Sequence, residues 1–207
     1  MSTLLHISAS PLADHSFSRR IAEAFVASWR EANPGGVVDT LNVWTEPRPA
    51  FDALSASWKL KTMGGIAPSA EELAVAEHIK RVTDRFQAAD KYIISCPMWN
   101  FTVPYPLKHY IDVLVQPGLT FGFDPSKGYF GLVPSHRPVQ LVLARGGAMA
   151  ATPGLDFQQP YLTTVPGLMW LSDVRSIVID CTAYGPAVSD PLLVAALDTA
   201  KRDGASF

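Results

Sequence analysis

The sequence predicts a doubly wound α/β fold, a five-stranded parallel sheet with helices on both faces. Three observations carry that expectation. Short apolar runs rich in branched residues recur at Thr3–Ser8, Val37–Val43, Lys91–Ser95, Val139–Ala144 and Val174–Asp180, and unbroken apolar character is what strands covered on both faces show. Stretches with helical spacing lie between and after them, at Ser18–Asn33, Ser69–Ala88, Pro106–Val115 and Pro191–Arg202. Strand and helix signals alternate, as parallel strands joined by right-handed crossovers require.

Taken in order, the first helix is marked by an apolar stripe of Ile21, Ala24, Phe25 and Trp29, and Asn33-Pro34-Gly35-Gly36 stops it. Leu73, Ala76, Ile79, Val82 and Phe86 make the same stripe in the second. Thr45–Gly65, with several prolines and Trp58, reads as a loop plus a short helix. Leu119–Pro134 carries Phe121, Phe123, Tyr129 and Phe130, which suits either a hydrophobic flap over the core or a wall of a ligand pocket. Five strands in this rhythm favour the flavodoxin-like order over the six-stranded dinucleotide fold. With 48% hydrophobic and 17% charged residues over 207 positions, the chain reads as one domain spanning 1–207.

The formal net charge is −2 and no long block of like charge interrupts the chain, which argues against nucleic acid or a bilayer as partner. The start lacks the features of an export signal, and no apolar run approaches the ~20 residues of a membrane span. The expected location is the cytoplasm. Cys96 and Cys181 both lie in apolar runs, as reduced buried thiols do. The five histidines show no paired-ligand spacing, so no metal is expected.

In an open parallel sheet, ligands bind beyond the carboxyl ends of the strands. The loop after the first strand has neither G-x-G-x-x-G nor G-x-x-x-x-G-K-[ST]. It offers the hydroxyls of Ser10, Ser16 and Ser18 at a helix start, where unpaired N–H groups and the helix dipole favour a phosphate; plain N-capping explains the same residues. After the third strand stand Met98, Trp99, Asn100 and Phe101, bracketed by prolines, surroundings suited to a flat heteroaromatic ligand or to packing under a helix. After the fourth come Ala144, Arg145, Gly146 and Gly147, where glycines permit close backbone approach and positive φ, or form an ordinary turn. A nucleophile elbow is absent, and Cys96 has no base beside it in sequence.

Six segments in order resemble the FMN-dependent NADH-azoreductases, a branch of the flavodoxin-like quinone reductases: Ser10 with Ser16-Phe17-Ser18, Pro97 to Phe101, Leu107 to Asp112, Gly118 to Phe121, Arg145 to Gly147, and Ala183 to Pro186. The resemblance implies that Ser10, Ser16, Phe17 and Ser18 hold the FMN phosphate. Met98 to Phe101 would then border the isoalloxazine, and Ala144 to Gly147 its pyrimidine edge. It also implies a homodimer in which Leu119–Phe130 and Phe157–Trp170 supply aromatic residues to the partner's site. NADH or NADPH would be the donor and a quinone or azo compound the acceptor, with Trp99, Asn100, Phe121 and Phe123 shaping the acceptor pocket and no acid or base side chain required. The chain departs from the family pattern at Trp99, where Tyr is typical, at Ala144, where Ser is typical, and at Met149, where His is frequent. These departures bear on which acceptors fit. Two rivals remain: a flavodoxin-type single-electron carrier, which the near-neutral charge disfavours, and a flavin-free α/β binding domain.

Overall fold

The computed structural model describes residues 2–152 and 154–207. In chain order the first elements are β1 (Thr3–Ser8), α1 (Phe17–Ala32), β2 (Val37–Asn42), α2 (Ala53–Met63), α3 (Ala70–Ala88), β3 (Lys91–Pro97) and α4 (Tyr105–Leu114). They are followed by β4 (Phe121–Asp124), β5 (Gly128–Gly131), β6 (Val139–Ala144), α5 (Gln158–Leu168), β7 (Val174–Ile179) and α6 (Pro186–Ser206). Five strands form one parallel sheet in the order β2-β1-β3-β6-β7, the doubly wound flavodoxin-like arrangement that the sequence predicts.

Alternation along the strands separates two apolar layers. Leu5 and Ile7 of β1, with Ile94 and Leu141, face a layer covered by Phe86 of α3, Leu107 of α4 and Leu162 of α5. Leu4, Ile93 and Val142 point the other way, onto Phe25 and Trp29 of α1 and Ala200 of α6. On this second face the two helices cross closely: a Cβ on Gly204 would lie 2.3 Å from the Phe25 carbonyl oxygen, so only glycine lets the backbones meet. The stripe expected on α3 holds except at Leu73, which is 51% exposed. Its neighbour Glu72 is buried instead, because it closes a capping box with Ser69 and takes the Lys61 ammonium at 2.8 Å.

Three elements differ from the sequence reading. Helix α6 begins at Pro186 rather than Pro191; Pro186 takes the first helical position, where its missing N–H is harmless, and the helix then runs on through Pro191. Segment 157–170, rich in prolines, forms α5. Pro160 falls in its first turn, where no N–H is required, and Asp156 Oδ1 accepts from the N–H groups of Gln158 and Gln159 at 3.0 and 3.1 Å. The aromatic excursion folds as an antiparallel hairpin of β4 and β5. It is pressed onto the end of α5, where a Cβ on Gly131 would stand 2.2 Å from Met169 backbone. No helix among the described residues is long and apolar enough to cross a membrane.

Candidate functional site

Strands β1, β3 and β6 are neighbours in the sheet, so the loops after them leave one rim side by side. The pairing continues past the strands: Ala9 N–H donates to Ser95 O at 2.8 Å, and Met98 N–H to Ala144 O at 2.7 Å. All three loops flagged in the sequence therefore converge.

In the first loop a short 3-10 turn (Ala13–His15) brings the chain to Ser16, which caps α1. Its Oγ accepts from Arg19 N–H at 3.3 Å and lies 3.2 Å from Ser18 Oγ, while Ser10 Oγ accepts from Leu12 N–H at 3.3 Å. The capping role is thus real, and it leaves donors over. Among the described residues no protein acceptor takes the N–H of Phe17 or Ser18, the groups on which the helix dipole is concentrated.

The second loop is a two-residue turn. Trp99 and Thr102 exchange backbone hydrogen bonds at 2.9 and 3.0 Å, and the residues between them, Asn100 and Phe101, both have positive φ, 48° and 69°. That is the pattern of a primed turn, natural for Asn and strained for Phe. It turns the side chains of Trp99 and Phe101 outward, 38% and 48% exposed. The indole of Trp99 stands 5.4 Å from that of Trp44, which in turn meets Tyr105 at 5.5 Å. Met98 is half-buried at the base. An open cleft of about 480 Å3 runs from Trp99 and Asn100 past Tyr105 and Lys108 to His109 and Phe51.

The third loop differs in detail from the expectation. Neither Gly146 nor Gly147 has positive φ. Their carbonyls accept from Ala183 and Cys181 in the loop after β7, both at 3.2 Å, whereas their N–H groups meet no protein acceptor among the described residues. A Cβ on Gly147 would meet nothing within 4 Å, so the space before it is open. Ala144 is buried. Arg145 turns its side chain into the protein, donating to Asp156 at 2.6 Å and to Gln158 and Gln159 at 3.2 Å, with Asp180 at 3.7 Å. Its backbone is engaged as well, the N–H donating to Ile179 O at 2.8 Å and the carbonyl accepting from Thr182 N–H at 3.0 Å.

Phe121 and Phe123 lie elsewhere. Phe121 is buried beneath the Lys59 ammonium, 6.0 Å from its ring centroid, and Phe123 is 55% exposed on the hairpin, each packed against Tyr129. Burial pushes the Cys96 thiol up to about 12, which leaves it protonated and unsuited to attack. Sequence reasoning passed over Trp44, Tyr105 and His109. Trp44 and Tyr105 sit in loop and helix-start positions with no motif; His109, whose Nε2 lies 2.9 Å from Pro49 O, fell in a matched segment without an assigned role.

The donor set fits a flat, phosphorylated flavin: unpaired N–H groups and hydroxyls at one end, outward aromatic rings between, unpaired N–H groups at the other. Comparison with known proteins agrees. A family profile described as the flavodoxin-like fold matches residues 2–202. A curated relative from Nitratidesulfovibrio vulgaris, named FMN-dependent NADH:quinone oxidoreductase, is 44% identical over the whole of both chains. One of the same name from Desulfotalea psychrophila is 37% identical over 95% of this chain and 93% of its own. A solved azoreductase from Bacillus anthracis superposes with a TM-score of 0.89 at 27% identity, covering all of both chains. By whole-length identity, profile and fold together, the chain belongs to the FMN-dependent NADH-azoreductase family of flavodoxin-like quinone reductases.

Proposed function

We propose that residues 1–207 act as one FMN-binding domain that passes two electrons from NADH or NADPH to a quinone or azo acceptor, donor and acceptor using the same place in turn. The observation that carries this reading is the pair of N–H groups without a protein acceptor among the described residues at each end of one rim, Phe17 with Ser18 and Gly146 with Gly147, flanking the outward rings of Trp99 and Phe101. When bound, FMN supplies the hydride-accepting and electron-donating chemistry, and the chain supplies position and electrostatics.

Ser10, Ser16, Phe17 and Ser18 hold the phosphate, through hydroxyls and the first N–H groups of α1. Met98, Trp99, Asn100 and Phe101 border the ring system. Ala144 and Arg145 anchor the start of the third loop against Met98 and the loop after β7, and the N–H groups of Gly146 and Gly147 favour negative charge at the pyrimidine edge. The stiff turn at Trp99–Thr102 keeps one wall of the acceptor place fixed. Phe121 supports the hairpin from within, and Phe123 projects from it. Phe123, Tyr129, Phe157 and Trp170, each more than half exposed, complete the site of a second copy in a homodimer, in the cytoplasm. The width of the Trp99 indole favours flat quinones over bulky azo compounds.

The test is spectroscopic. Protein reconstituted with FMN loses the absorbance of oxidised flavin when NADH or NADPH is added without oxygen, and regains it on addition of menadione. Protein that stays colourless with FMN, or stays yellow under both nicotinamides, overturns the reading; turnover with menadione and no partner protein separates it from a single-electron carrier.

A further inference from the structure

The strap between β2 and α2 sets the orientation of one side chain in the aromatic cleft. Its end is held by the cap of α2: Asp52 Oδ1 accepts from the N–H groups of Leu54 and Ser55, both at 3.1 Å, and Ser55 Oγ donates to Ala50 O at 3.0 Å. The adjacent Pro49 O lies 2.9 Å from Nε2 of His109, on α4. A carbonyl oxygen only accepts, so Nε2 donates there and carries the proton of the neutral ring. Nδ1 is left with a lone pair. It meets no protein donor among the described residues and is not sealed from solvent, and the ring that carries it lines the cleft of about 480 Å3 beside Trp99 and Asn100.

The other polar side chains of that cleft make no fixed demand. Lys108 and Asp112 satisfy each other, the ammonium reaching both carboxylate oxygens at 2.6 and 2.8 Å. The amide of Asn100 and the hydroxyls of Thr102 and Tyr105 can each donate or accept. Neutral His109 Nδ1 has a single role, and it asks for an N–H or O–H from the ligand. Of the two kinds of molecule that use this place in turn, a plain quinone offers only oxygen acceptors, whereas the nicotinamide ring carries a carboxamide with two N–H groups. We propose that His109 is a specificity-determining residue for the nicotinamide donor, its Nδ1 accepting a hydrogen bond from the carboxamide. The assignment rests on the reading that donor and acceptor share the cleft beside Trp99.

The experiment is an equilibrium titration of the FMN-loaded protein at pH 8 with NAD+, and in parallel with the NAD+ analogue in which an acetyl group replaces the carboxamide. Binding is read from the perturbed absorbance of oxidised flavin, which neither nucleotide reduces, so no turnover is needed. Wild type binds NAD+ about fivefold more tightly than the analogue, the worth of one neutral hydrogen bond. His109→Asn and His109→Leu have nearly the same shape and both lose the bond to Pro49 O, but only Asn keeps an acceptor near the place of Nδ1. The preference therefore persists in the Asn variant and vanishes in the Leu variant, whereas a purely structural role would move both alike. Equal binding of the two nucleotides by wild type, no perturbation by NAD+, or the same ratio in both variants overturns the assignment. Bleaching by NADH is followed on the same preparation: where it occurs alongside one of those outcomes, the role of His109 alone falls, and where it is absent the flavin-enzyme reading falls with it.

Discussion

The indole N–H of Trp44 donates to the carbonyl oxygen of Ala9 at 3.0 Å, tying the loop after β2 to the first residue of the loop after β1. Ala9 is fully buried, so that oxygen has no water to fall back on. Replacing Trp44 with Phe leaves it unpaired, a loss of about 1–3 kcal/mol, and removes the ring edge on which Trp99 leans. The expected result is a lower melting temperature together with FMN affinity weakened about fivefold to tenfold, read by quenching of flavin fluorescence. A lower melting temperature with unchanged affinity would make Trp44 structural only.

The turn between Trp99 and Thr102 holds Phe101 at φ 69°, where a non-glycine side chain costs about 1–2 kcal/mol. Phe101→Gly relieves that strain, and glycine's greater freedom in the unfolded chain takes back about 0.5–1 kcal/mol. Stability in urea is therefore level or slightly higher, while the acceptor KM rises severalfold because a wall of the site is gone. Phe101→Ala keeps the strain and loses the wall. Should the Gly variant instead be less stable than the Ala variant, backbone strain is not what the turn stores.

Arg145 is the buried hub of the third loop, its side chain 6% exposed against Asp156 at 27% and Asp180 at 31%. Removing it strands Asp156 and Gln158, and with Gln158 the bond that amide makes to Cys96 O at 3.1 Å. Arg145→Met is expected to lower stability by about 1.5–3 kcal/mol, the range for hydrogen bonds to a charged group, since both carboxylates keep contact with solvent. Arg145→Lys rescues only part, since an ammonium cannot span the fork of acceptors. Denaturant curves on the three proteins decide it; a Met variant within about 1 kcal/mol of wild type would remove the network from the account of the site.

The central strands β1, β3 and β6 were legible because burial on both faces makes them continuously apolar, the edge strands β2 and β7, half open to solvent, because of their branched residues, and their order followed from the alternation with helices. Element ends slipped where proline carries two meanings. Pro191 looks like a helix start and is an interior residue, and Pro160 looks like a breaker and occupies a permitted first turn. The rim was legible because three loops carried unusual residues at corresponding strand ends. The inward turn of Arg145 was not, because its acceptors lie 11 to 14 residues away, just before and in the first turn of a helix the prolines concealed. Nor was the left-handed pair Asn100-Phe101, since Phe gives no turn signal. Phe121 illustrates the limit of composition: an aromatic residue in an aromatic-rich hairpin can face in or out, and the register with Gly131 puts it in.

His6 lies on β1, 4% exposed, with Nε2 2.9 Å from Ser95 Oγ. Burial first, and the nearby Arg19 charge second, lower its pKa from 6.5 to about 4. The folded state thus holds His6 neutral where the unfolded chain would already take a proton. Stability from this residue is complete above pH 6.5 and drains away as pH falls toward 4. The shift corresponds to a loss of about 3 kcal/mol across that window. His6→Gln keeps a hydrogen-bonding group toward Ser95 and removes the titration. Carboxylates titrate in the same range, so the informative quantity is the difference between wild type and variant in unfolding free energy, measured in urea from about pH 7 down to about pH 4.5. Wild type loses more than the variant as the pH drops; parallel curves would mean that His6 is not held neutral by its burial.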